Sequence, residues 1–263
     1  MTRSLAIPQP ALPEIAVLNP WSAALVGQVV QSSADDITAT VARAHIAAAA
    51  FRTSTPFERR TLLNRLAELI ARDAEPLAQT ISAEMGKTIT EARGEVRRAQ
   101  NTLRLSGDAA TFLDGEVLHC GIVSGGVDRQ AVITYVPTGV VAAITPFNYP
   151  VNLLCHKLGP AIAAGNAVVA KPSPKAPLAA DHLVRLTLEA GFPRDLVQIL
   201  HGGAEVALGL ARAKIDLLSF TGGKVAGLAL KRASGLVRCL MELGGNDPLI
   251  VMPDADLGTA VAT

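Results

Sequence analysis

Residues 137–171 read PTGVVAAITPFNYPVNLLCHKLGPAIAAGNAVVAK. The apolar run 139–145 has the length and branching of a buried strand. Residues 151–164 carry apolar side chains at helical spacing, and 167–170 form a second short apolar run. A strand, a helix of about three turns and a strand again mark a parallel crossover unit. The alternation continues, with helices over 178–190, 205–213 and 224–233 and strands over 196–200, 217–220 and 237–241. A further strand is expected over 248–251. The fold class is therefore α/β, an open parallel sheet of Rossmann-like type. In such sheets ligands bind in the loops beyond the carboxyl ends of the strands.

Upstream the pattern differs. Residues 1–34 read as irregular, with short extended pieces at 16–18 and 27–30. Asp35 and Asp36 open a helix in which Ile37, Val41, Ala44, Ala48 and Phe51 recur at helical spacing. Helices follow over 56–72, over 76–84 with Gly86 as C-cap, and over 88–113. Two β-prone runs, 116–123 and 130–136, flank Ser124-Gly125-Gly126 and predict a hairpin that projects from the body.

Composition bounds the function. The chain has 263 residues, 49% hydrophobic and 18% charged, so it can bury an ordinary core. Net charge is +1 and aromatics are 3%, which disfavours a nucleic-acid partner. No apolar stretch reaches the roughly 18 residues of a membrane span, and 39–51 is broken by Arg43 and His45. Prolines replace the apolar run of a signal peptide at the N-terminus. Cys120, Cys155 and Cys239 are too few and too far apart for a zinc site or a disulfide framework. A cytoplasmic protein without a metal is expected.

Four strand-end segments carry candidate chemistry. Thr145-Pro146-Phe147-Asn148 follows the first strand of the sheet, and the Asn148 carboxamide can donate hydrogen bonds there or cap the next helix. Lys171-Pro172-Ser173-Pro174-Lys175 follows the second, and an ammonium and a hydroxyl suit ribose or phosphate. Lys175 reads more simply as part of a solvated turn. Phe220-Thr221-Gly222-Gly223 joins a strand to a helix, where glycines let a diphosphate approach free N–H groups. The segment Glu242-Leu243-Gly244-Gly245 puts a carboxylate at a strand end, as a general base or a surface acid. No GxGxxG occurs anywhere in the chain.

In this order and spacing the four segments resemble the aldehyde dehydrogenase superfamily. Supporting matches are Asn19-Pro20, Glu84-Met85-Gly86-Lys87, Gly159-Pro160-Ala161, Ala164-Gly165-Asn166 and Pro253-Asp254-Ala255-Asp256-Leu257. The wording ELGGNDPLIVMPDADL at 242–257 is most similar to members acting on small polar aldehydes such as lactaldehyde, glyceraldehyde or phosphonoacetaldehyde. The resemblance implies NAD or NADP as cofactor and oxidation of a small aldehyde to an acid. It implies that Asn148 holds the oxyanion and Glu242 activates the hydrolytic water. Lys171 and Ser173 would meet the ribose, and Gly203 would lie near the adenine. Thr145, Pro146, Phe147, Phe220, Thr221, Gly222, Gly223, Leu243 and Gly244 would line the cofactor.

Three departures qualify the resemblance. Pro174 stands where many members have an acid that holds the ribose hydroxyls, so NADP is expected to be tolerated or preferred. Gly223 stands where a serine is common. None of the residues after Glu242 is a cysteine, although the family nucleophile follows the glutamate by a few tens of residues. The expectation is a truncated dehydrogenase, inactive alone, with residues 1–115 and 137–243 binding the cofactor and 244–263 opening a catalytic domain. The hairpin 116–136 would serve homo-oligomerisation once the rest of the enzyme is present. The alternative is a non-catalytic dinucleotide-binding or assembly module.

Overall fold

The computed structural model describes residues 13–262. Strands β1 (Glu14–Leu18) and β2 (Leu25–Val30) pair antiparallel, so the expected irregular start holds only in part. The fragments at 16–18 and 27–30 were too short to signal a hairpin, and the rest of that expectation, 1–12, lies outside the described residues. Four helices follow: α1 (Ala34–Phe51), α2 (Pro56–Arg72), α3 (Ala74–Met85) and α4 (Ile89–Ala109). Ser33 with Asp36, Thr55 with Glu58 and Thr88 with Glu91 form capping boxes at three of their starts. Gly86 ends α3 at φ 70, a left-handed conformation that glycine adopts without a Cβ clash.

Strands β3 (Glu116–His119) and β4 (Gln130–Ile133) form a separate antiparallel ribbon. Every residue of both is exposed. The ribbon is shorter than the runs 116–123 and 130–136 because the register closes at His119↔Gln130.

The main sheet is parallel, with five strands: β5 (Val140–Ile144), β6 (Ala167–Lys171), β7 (Val197–Ile199), β8 (Leu217–Gly222) and β9 (Arg238–Leu243). Their spatial order is β7-β6-β5-β8-β9. The chain thus starts in the middle, moves to one edge, then returns to the other side of β5. In open parallel sheets such a reversal is the place beyond the strand ends where ligands bind. Every residue of β5 and β6 is buried, as the unbroken apolar runs require of strands covered on both faces. Helices α5 (Pro150–Ala163) and α6 (Leu178–Glu189) cover one face, backed by α2, α3 and α4. Helices α1, α7 (Ala204–Arg212) and α8 (Lys224–Ser234) cover the other.

The expected strand at 248–251 does not form. Residues 244–256 are irregular and exposed, and α9 (Leu257–Ala262) buries no side chain. A strand needs a hydrogen-bonding neighbour, and none of the described residues pairs with this segment. Leu249 and Ile250, each 78% exposed, also lack a surface to pack on. Cys239 lies on the edge strand β9 and is only partly buried.

Candidate functional site

All four segments meet at the carboxyl edge of the sheet. Thr145, Pro146, Phe147 and Asn148 follow β5; Lys171 closes β6 and Ser173 follows it; Gly203 follows β7. Phe220, Thr221 and Gly222 end β8, and Gly223 caps α8. Glu242 and Leu243 end β9, paired with Thr221 and Gly222, and Gly244 follows. Both strands run further than their apolar runs, since ladder pairing continues past the last hydrophobic residue.

The geometry leaves several groups waiting for a partner. Thr145 donates its backbone N–H to the Lys171 carbonyl at 3.2 Å, which ties the two loops together. Its hydroxyl is buried without a hydrogen-bond partner among the described residues. Lys171 is 4% exposed, and its ammonium makes no hydrogen bond among the described residues. Burial lowers its pKa to about 8, against the attraction of Glu205. Buried polar groups are normally satisfied, so the Thr145 hydroxyl, on the strand end tied to Lys171, is a candidate ligand contact. Gly223 begins α8 without a side-chain cap, and a Cβ there would meet nothing within 4 Å. The first-turn N–H groups of α8 therefore face open space, where an anion is stabilised. Gly222 is required for packing, because its Cβ would strike the ring of Phe220.

Asn148 is exposed, and its carboxamide makes no hydrogen bond among the described residues. It does not cap α5. That task falls to Glu95, whose carboxylate accepts from Val151 N at 2.9 Å and Asn152 N at 3.2 Å. The same carboxylate takes the Lys87 ammonium at 2.8 Å. Lys87 Nζ in turn lies 3.7 Å from the ring centre of Tyr149, the residue after Asn148. Ser173 accepts from Lys175 N at 3.2 Å, and Lys175 Nζ sits 4.8 Å from the Phe147 ring centre.

The aldehyde dehydrogenase family model matches residues 8–263. The chain belongs to the aldehyde dehydrogenase family. Aspartate-semialdehyde dehydrogenase 1 of Pseudomonas canavaninivorans is 42% identical over 250 residues, which cover 95% of the chain and 53% of that protein. The 3-sulfolactaldehyde dehydrogenase of Priestia aryabhattai is 40% identical, over 95% of the chain and 52% of its own length. Among solved structures, the NADP-dependent glyceraldehyde-3-phosphate dehydrogenase of Bacillus halodurans complexed with NADP superposes with TM-score 0.92 at 33% identity. It matches 95% of the chain and 53% of that structure. The chain spans about half the length of the relatives it matches.

Within this aldehyde dehydrogenase fold, two polar groups at the site, Lys157 and Glu205, escaped the sequence reading, and Glu84 entered it only as part of a motif. Lys157, on α5, is buried, donates to Ser219 Oγ at 3.1 Å and has its pKa lowered to about 8 by burial, with Glu242 opposing. A lysine inside the apolar helix VNLLCHKLGPAIA was the available signal. Glu205 accepts from Gly203 N at 2.9 Å and faces Lys171 electrostatically. Glu84 accepts from Leu178 N and Ala179 N and so caps α6, beyond the Lys171 loop.

Proposed function

We propose that this chain binds NAD or NADP at the carboxyl edge of its sheet and supplies Asn148 and Glu242 to the oxidation of an aldehyde. One observation supports the reading: the Thr145 hydroxyl is buried without a hydrogen-bond partner among the described residues, on the strand end whose backbone N–H bonds the Lys171 carbonyl, and the Lys171 ammonium makes no hydrogen bond there. Lys171 would donate to ribose hydroxyls, and Ser173 beside it would do the same. The free N–H groups at Gly223 and α8 would hold the pyrophosphate. Phe147, Pro146 and Phe220 would wall the cofactor, with Leu243 and Gly244 at its far side and Gly203 near the adenine. A bound nicotinamide supplies a hydride acceptor.

The unengaged Asn148 carboxamide would donate to the oxygen of the aldehyde as negative charge builds on it. Glu242, on the field of Lys157, would take a proton from water. Pro174 removes a carboxylate that would repel a 2′-phosphate, and Lys175 adds a cation, so NADP should bind at least as well as NAD. The thiolate is not supplied by this chain's three cysteines. Cys155 is fully buried and burial pushes its thiol far above the ordinary range, Cys120 lies beside the outlying ribbon and Cys239 on the edge strand. The remainder of the enzyme would bring it, and residues 116–136 would join copies of the assembled protein.

The test is an assay of reduced cofactor with a short aldehyde. The chain alone should form none, and changing all three cysteines to serine should alter nothing. Turnover by the chain alone that a single Cys→Ser change abolishes would overturn the assignment of the nucleophile.

A further inference from the structure

The turn after the edge strand β7, His201-Gly202-Gly203, is tied down from three directions. Leu200 N donates to the Ala170 carbonyl at 2.9 Å, one residue before Lys171. Ser32, just ahead of α1, donates its N–H to the His201 carbonyl at 2.8 Å, and its hydroxyl accepts from His201 N at 3.0 Å. The third tie is made by a side chain. His201 Nε2 lies 2.9 Å from Oδ1 of Asp181, in the first turn of α6. A carboxylate only accepts, so Nε2 carries the hydrogen. The two side chains are 13% and 28% exposed, so salt screens this contact less than a pair on the open surface.

His201 thus joins two layers. Its backbone is fixed from the residue before α1 and its imidazole from α6, on the other face of the sheet. The turn itself has little slack: Gly202 sits at φ 148, and a Cβ there would strike Val206 in α7. Gly203 donates its N–H to Glu205, whose carboxylate and the Lys171 ammonium attract each other. The turn therefore stands beside the Lys171 end of β6, and the Asp181–His201 bond sets its position from the α6 side.

We propose that Asp181 and His201 are positioning residues for the adenosine end of the dinucleotide, acting through the 201–203 turn. The inference rests on the functional reading above, in which Lys171 meets the ribose and Gly203 lies near the adenine. Without the bond from Nε2 to the carboxylate, the turn is released on its α6 side alone. The Ser32 and Ala170 ties keep β7 in the sheet, so the loss falls on affinity and not on the fold.

The test is calorimetric titration of ADP and NADP into the purified chain and its variants, with the unfolding midpoint of each measured alongside. His201→Ala and Asp181→Ala should each weaken ADP about 10-fold, the scale of one charge-assisted hydrogen bond. The double variant should lose no more than either single one, because both break the same bond. His201→Gln, whose amide can still donate to Asp181, should recover most of the affinity. If His201→Ala does not fold, Asp181→Ala and His201→Gln decide. ADP affinity unchanged in the single variants, or losses that add in the double one, overturns the proposal and leaves the dinucleotide reading standing. A folded wild-type chain that binds neither ADP nor NADP overturns that reading and the proposal with it.

Discussion

Asn148 is exposed and bonded to nothing among the described residues, so its carboxamide contributes little to the fold. Asn148→Ala should change stability by less than ~0.5 kcal/mol in a denaturant titration. In the assembled enzyme the same change should lower kcat by about 10²–10³, the usual loss for one oxyanion donor. A large loss of stability would mean that the side chain is structural. Asn148 and Lys171 were legible because each stands at the carboxyl end of an apolar run, where α/β sheets bind ligands. Lys157 and Glu205 were not. Lys157 sits in mid-helix, and its site role depends on the β8–β9 neighbours that bring Ser219 and Glu242 within its reach. Glu205 faces Lys171 only because β6 and β7 lie side by side, a pairing that no local pattern encodes.

Two buried carboxylates brace the loops at the scale of elements. Glu84 on α3 caps α6, and Glu95 on α4 caps α5, so the outer helices fix the helices that follow the Lys171 and Asn148 turns. Glu95→Ala would orphan two amides and a lysine that is 16% exposed, and should cost about 3 kcal/mol in chemical denaturation. A loss below ~1 kcal/mol would show that water replaces the carboxylate. Glu84 behaves differently, because burial raises its pKa from 4.5 to about 7, outweighing the two amide bonds. A carboxyl whose folded pKa is raised stabilises the fold most below 4.5, and that contribution is lost as pH rises through 7. Stability should therefore fall over this window, and Glu84→Gln should flatten the slope. An unchanged slope would mean that Glu84 stays ionised. These braces were hidden in the sequence because acids 94 and 56 residues from their partners leave no periodic signal. Helices α1 to α8 were legible from spacing, α2 to the residue, whereas α9 buries no side chain and left no apolar pattern to read.

For the whole molecule, large apolar side chains are exposed along the ribbon at 112–136 and again from α8 onward. Val225, Leu228, Leu236, Leu240 and Leu243 on or beside α8 and β9 are exposed, as are Leu249, Ile250 and Met252. Exposed apolar side chains promote association, and β9 adds a backbone edge that no described residue pairs. The chain should self-associate with rising concentration in sedimentation, and the double change Leu249→Glu and Ile250→Glu should reduce it while cofactor affinity is retained. A monomer at all concentrations would contradict this. The sheet order was not legible: alternating elements imply a parallel sheet, whereas its reversal at β5 and β8 arises from long-range packing. That reversal brings together the strand ends on which the functional reading depends. The most direct test is calorimetric titration of NAD and NADP into the chain and into Lys171→Ala. The account predicts that both dinucleotides bind, NADP at least as tightly as NAD, and that Lys171→Ala weakens both about 10-fold or more, since a charged-group hydrogen bond is worth ~1.5–3 kcal/mol. Binding of neither by a folded chain, or affinity unaffected by Lys171→Ala, would contradict it.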